Sequence, residues 1–102
     1  MAFIFVYVTN PDRKTASMIT EHLLKNKMIA CANIFPVESM YWWKGKIETT
    51  NEFVAVMKSR KEKWETLKKE IKKIHPYTVP CIVKIDVESN KEYEKWLLDV
   101  TG

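Results

Sequence analysis

A chain of 102 residues with 46% apolar residues has material for one domain with a modest core, and its +4 formal charge is too small to name nucleic acid as a partner. It holds no apolar run of about 18 residues, which argues against a membrane span. Two cysteines are too few for a disulfide scaffold or an iron–sulfur cluster.

The elements follow in order. Residues 3–9 (Phe-Ile-Phe-Val-Tyr-Val-Thr) form a continuous β-branched and aromatic run, predicting a central strand buried on both faces. The start, Met-Ala-Phe-Ile-Phe-Val-Tyr-Val, lacks a basic leader and a small-residue cleavage site and reads as a first strand rather than a signal peptide, so a cytoplasmic protein is expected. Asn10-Pro11-Asp12 offers a cap at Asn10, a proline at the first helical position and an acid in the first turn, and a helix to about Lys27 should turn Ala16, Ile19, Leu23 and Leu24 inward. Residues 28–37 and 52–58 read as strands of a hairpin whose arms reach Lys44 and Lys46. At about 3.3 Å per residue such arms approach roughly 45 Å, far beyond the ~13 Å radius of a domain this size. The tip, Met40-Tyr41-Trp42-Trp43-Lys44-Gly45-Lys46-Ile47, therefore overhangs and needs a second copy to cover it, with Met40, Tyr41, Trp42 and Trp43 as the interface. The alternative is that Pro36 folds the arm back onto its own core.

Ser59 and Glu62 have capping-box spacing, and the next helix should bury Trp64, Leu67, Ile71 and Ile74 before Pro76 stops it. Residues 81–87 alternate, with Cys81, Val83, Ile85 and Val87 on one half-buried face. Ser89 and Glu92 repeat the capping-box spacing, opening a last helix that points Tyr93, Trp96, Leu97 and Val100 inward. The order predicts an α+β fold, a ferredoxin-like βαββαβ split sandwich over residues 1–102 with a long β2–β3 hairpin and an extra C-terminal helix. Its helices cover one sheet face, leaving the other for a neighbour's hairpin.

The segments Ala30-Cys31-Ala32-Asn33-Ile34, Tyr41-Trp42-Trp43-Lys44-Gly45-Lys46-Ile47 and His75-Pro76-Tyr77-Thr78-Val79-Pro80 occur in this order. Together they resemble the CutA family, the divalent-cation tolerance proteins. The resemblance runs from the first strand to the last helix. It implies a cytoplasmic homotrimer held by its hairpins, linked to tolerance of copper and other divalent metals, with no established catalytic activity. Animal relatives are associated with acetylcholinesterase anchoring, a partner to which no residue here points. Some family members carry a cysteine where this chain has Val8, which weakens transfer of any site using it.

Two constellations compete for function. Imidazole and thiol suit copper or zinc, and His75 with Cys81 or Cys31 is the candidate metal set, against the reading of Cys31 as a small buried hydrophobe and His75 as a helix-end residue. No CxxC or HxxxH spacing exists, so a full set must come from scattered residues or several subunits. The second is a ligand pocket made by Lys58, His75, Tyr77, Tyr41 and Trp43, suited to a small anion across a subunit boundary in the manner of a PII-like signalling trimer. Against it stands the reading of Tyr41 and Trp43 as interface and Lys58 as solvated. No P-loop glycines and no Ser/His/Asp arrangement are legible, so no enzyme is expected. An RNA-recognition module, with bases stacked on an aromatic first strand, would want a Lys/Arg-Gly-aromatic pattern in its third strand. The run 51–57 lacks it.

Overall fold

The computed structural model describes residues 3–102, so the reading of the chain start at Met1 and Ala2 lies outside the described residues. Its elements are β1 (Phe3–Asn10), α1 (Arg13–Lys25), β2 (Cys31–Trp43), β3 (Lys46–Ser59), a single 3-10 turn (Lys61–Lys63), α2 (Trp64–Ile74), β4 (Ile82–Val87) and α3 (Lys91–Val100). The four strands form one antiparallel sheet in the order β2-β3-β1-β4, the ferredoxin-like arrangement the element order predicts. β1 is central, and its alternation divides the molecule. Ile4, Val6 and Val8 join Ala55 and Met57 of β3 under Ile19 and Leu23 of α1 and Leu67 and Ile71 of α2, all at 2% exposure or less. Phe5, Tyr7 and Thr9 point to the other face and are only half-buried, so β1 is not sealed on both sides.

Several local expectations shift. Asp12, not Asn10, caps α1, its carboxylate accepting from Thr15 N at 2.7 Å. Asn10 stays in the strand, fully buried, and donates to the carbonyls of Val8 and Phe53. Leu24 is exposed and Thr20 takes the inward place. Neither capping box forms. Ser59 is buried at the end of β3 and donates to Met28 O instead. Ser89 turns back to the Asn90 carbonyl, and α3 has no side-chain cap bond. In α2 only Leu67 and Ile71 are fully buried, with Trp64 and Ile74 packed at the core margin. The helix stops at His75, whose extended backbone is what a residue before proline prefers. His22, with its side chain 41% exposed at the surface, bonds Glu70 of α2 at 2.7 Å and ties the two helices.

The hairpin runs straight through Pro36, which sits opposite Phe53 on edge strand β2, where a missing N–H is tolerated. Pairing with β1 ends at Phe53, while β2 and β3 continue as a two-stranded arm from Val37–Glu52 to Trp43–Lys46. That overhang stretches the molecule to 45 × 23 × 21 Å. α3 does not simply add to the helical layer. Its Tyr93 lies 6.0 Å from Phe3 and within reach of Lys58, so it caps one end of the face opposite α1 and α2. Leu97 is buried, whereas Trp96 and Val100, expected inward, are exposed. Beyond α3 the face stays open, and Val83 and Ile85 of β4 are each 46% exposed there.

Candidate functional site

The site forms where the arm leaves the sheet. His75, 8% exposed, faces the last turn of β1: its Nε2–H donates to Thr9 O at 2.9 Å, and Nδ1 accepts from Tyr77 N at 3.1 Å. Both ring nitrogens are thereby engaged, in the neutral tautomer with the proton on Nε2. Tyr77 continues the chain of contacts, packing on the imidazole at 4.8 Å and donating its hydroxyl to Glu52 Oε2 at 2.5 Å. Burial pushes the Tyr77 phenol well above its ordinary value, and the bond to the Glu52 carboxylate pushes it the same way. Cys81 lies beside Thr9 and Glu52, with its thiol pushed up first by burial and then by the Glu52 charge. Tyr77, Glu52 and Cys81 line a concavity of about 790 Å³, together with Tyr41 and Trp43 from the arm.

Of the expected metal set, His75 and Cys81 share this end of the molecule and Cys31 does not. Cys31 stands opposite Lys58, which stands opposite Phe5, four residues along β1 from Thr9. Its thiol meets the Tyr93 hydroxyl at 3.1 Å, and that phenol is pushed up to about 12 by burial and by the sulfur contact. No group of three His, Cys, Asp or Glu side chains is placed to hold a metal ion among the described residues. Of the expected anion pocket, Tyr77, Tyr41 and Trp43 meet in the concavity, but Lys58 is at the other end, its ammonium between the Phe5 and Tyr93 rings at 5.5 and 5.4 Å. The five residues therefore do not converge within one chain. The same contacts remove Phe5 from use as a base-stacking platform, because α3 and Lys58 already occupy its neighbourhood.

The residue that sequence reading missed is Glu52. An acid directly before Val54 and Val56 in the alternation places a charge where β3 enters the sheet, and that mismatch was its available signal.

Comparison with known proteins decides the family. Residues 4–100 match the family model described as CutA1 divalent ion tolerance protein. The chain belongs to the CutA1 family. It is 48% identical to the divalent-cation tolerance protein CutA of Pyrococcus horikoshii over 96% of its own length and 97% of the relative's. The crystal structure of CutA1 from that organism covers 97% of this chain and 98% of its own, with a TM-score of 0.94. The structure described as the periplasmic divalent cation tolerance protein CutA of Archaeoglobus fulgidus is 41% identical, covers 100% of both chains and has a TM-score of 0.95. CutA1 of Oryza sativa, at 33% identity, still has a TM-score of 0.95 over 100% of this chain and 95% of its own. The fold described above is thus shared with these structures over nearly the whole chain. No helix among the described residues is long and apolar enough to cross a membrane.

Proposed function

We propose that this CutA1-family chain works in divalent-cation tolerance as a non-enzymatic, cytoplasmic homotrimer that binds copper or another divalent cation weakly, with donors completed across subunit boundaries. The observation that carries the assembly is the arm tip, which is apolar on both faces. Met40, Trp42 and Ile47 are 69%, 72% and 61% exposed on one face, and Tyr41 and Trp43 are 41% and 44% exposed on the other. A two-fold dimer covers one face of such an arm, whereas three copies are the smallest closed ring in which every chain meets two neighbours.

For the cation, support comes from the Cys81 thiol and Glu52 carboxylate at the arm root, with His75 two hydrogen bonds away from being free. A metal that took His75 would have to displace Tyr77 N or Thr9 O, so one chain offers no finished cage and binding is weak. Copper heads the divalent affinity order and fills such a site first. The non-enzymatic reading is supported by the occupation of both imidazoles, His22 by Glu70 and His75 by backbone groups. The cytoplasmic reading is supported by two free cysteines at opposite ends of the sheet, and cell fractionation tests it.

The test is a native mass spectrum with copper titration of the unmodified chain, His75→Ala and Cys81→Ser, scored only on intact assemblies. A trimer whose copper affinity falls in either variant supports the proposal. Because burial holds Cys81 protonated to higher pH, binding through it should strengthen as pH rises through the thiol range. A monodisperse monomer at micromolar concentration, or unchanged affinity and stoichiometry in both variants, discards it.

A further inference from the structure

The helical layer carries a pair of donors that the arm root does not use. His22 of α1 and Glu70 of α2 are 48 residues apart in the chain, and the packing of the two helices brings Nε2 within 2.7 Å of Oε2. Their side chains are 41% and 26% exposed, so water reaches both. An assembly that covers the arm and the open sheet face leaves this layer outermost, and the pair stays accessible. His75, the only other histidine of the chain, is 8% exposed and would first have to give up a hydrogen bond.

The present contact is a hydrogen bond from Nε2–H to the carboxylate. In the other neutral tautomer the proton sits on Nδ1, and Nε2 then offers a lone pair beside an anionic oxygen, the donor types that copper, nickel and zinc accept. A cation bonded to imidazole nitrogen at about 2.0–2.1 Å and to carboxylate oxygen at about 2.0–2.2 Å holds adjacent ligand atoms roughly 2.9 Å apart when the angle between them is near 90°. The observed separation is within a few tenths of an ångström of that spacing, and a turn of the exposed imidazole aims its lone pair at the shared cation. Among the described residues no third His, Cys, Asp or Glu joins them, so water completes the coordination and the cation exchanges readily. Lys69 and Lys73, beside Glu70 on α2, are exposed, so salt screens their repulsion, which weakens the site without closing it. We propose that His22 and Glu70 form a second, surface divalent-cation site in each copy, with both donors from one chain and a cation that pins α1 to α2. The site is separate from the arm root and does not depend on it.

The experiment titrates nickel(II), which imidazole binds and which leaves the free thiols unoxidised, into the intact assembly while nuclear magnetic resonance follows the ring protons of both histidines. Paramagnetic broadening should reach His22 at nickel levels that leave His75 sharp. Calorimetry should show affinity lowered at least about tenfold in Glu70→Gln, which keeps an acceptor for the imidazole, and binding at this site lost in His22→Gln, with subunit number unchanged. Because the donors meet only in the folded chain, saturating nickel should raise the melting temperature, and less so in Glu70→Gln. His75→Ala and Cys81→Ser should leave the His22 broadening as it was, so the arm-root reading stands or falls by its own test. Broadening of His75 first overturns the proposal, and so does full affinity in Glu70→Gln, which is how an isolated exposed imidazole behaves. If a variant does not assemble, the order of broadening in the unmodified protein decides.

Discussion

At the residue scale, the Glu52–Tyr77–His75 chain ties β3 to the corner after α2 and to the end of β1. A hydrogen bond to a charged group contributes about 1.5–3 kcal/mol. Tyr77→Phe should therefore lower stability by about that amount, read as a reduced melting temperature of the intact assembly. The pH dependence has a definite sign. The Tyr77 phenol is raised in the folded state, so its contribution is complete below the free-phenol value near ~10 and is lost as pH climbs from there toward the higher folded value. Comparing the two proteins across the alkaline range isolates this residue: the unmodified chain should lose stability more steeply than Tyr77→Phe above about pH 10. Parallel curves would show that the hydroxyl is not coupled to folding.

At the element scale, the end of α1 shows a solution the sequence disguises. Lys27 N bonds Leu24 O and Met28 N bonds Leu23 O, the Schellman closure, with Lys27 at φ 55° in the place usually given to glycine. A lysine there carries backbone strain of about 1–2 kcal/mol, partly offset by the unfolded-state freedom that glycine would add. Lys27→Gly is expected to stabilise the chain by about 1 kcal/mol or less. The carbonyl that accepts Lys63 Nζ remains in the variant. Denaturant titration measures the change, and a loss of stability would show that the lysine side chain contributes more than its backbone costs. Elsewhere the helices carry isolated ion pairs such as Lys25–Glu21 and Lys68–Glu65. Exposed pairs of that kind contribute little.

At the scale of the whole molecule, the proposed assembly predicts heat resistance that comes from burial between copies rather than from surface ion pairs. The melting temperature should rise with protein concentration, as it does for any assembly whose subunits stabilise one another. It should be little changed by about 1 M salt, where the screening length is ~3 Å. Replacing Trp42 with Ala should shift dissociation to higher protein concentration, since losing a large aromatic from a packed site costs roughly 3–5 kcal/mol. Native mass spectra across a dilution series report this directly. A melting temperature independent of concentration and low enough to sit at about 45–65 °C would count against an obligate assembly.

The sequence by itself determined the element order, the central place of β1, the length of the arm and the stop at Pro76. Each follows from a local signal: a β-branched run, an apolar alternation or a ring-restricted backbone. The candidate residues His75, Tyr77, Tyr41 and Trp43 were legible in the same way, because their types are unusual in their positions. Only the tertiary structure decided which of them meet. Register places Lys58 and Cys31 at the Tyr93 end and Glu52 at the arm root, and a shift of a few residues along β3 would reverse that placement. It also decided that α3 crosses to the open face and that neither capping box forms, with Ser59 donating to the Met28 carbonyl and Ser89 to the Asn90 carbonyl. Local patterns state what each segment buries. Which segment it is buried against depends on strand pairing between residues far apart in the chain, and that information is not held in any one segment.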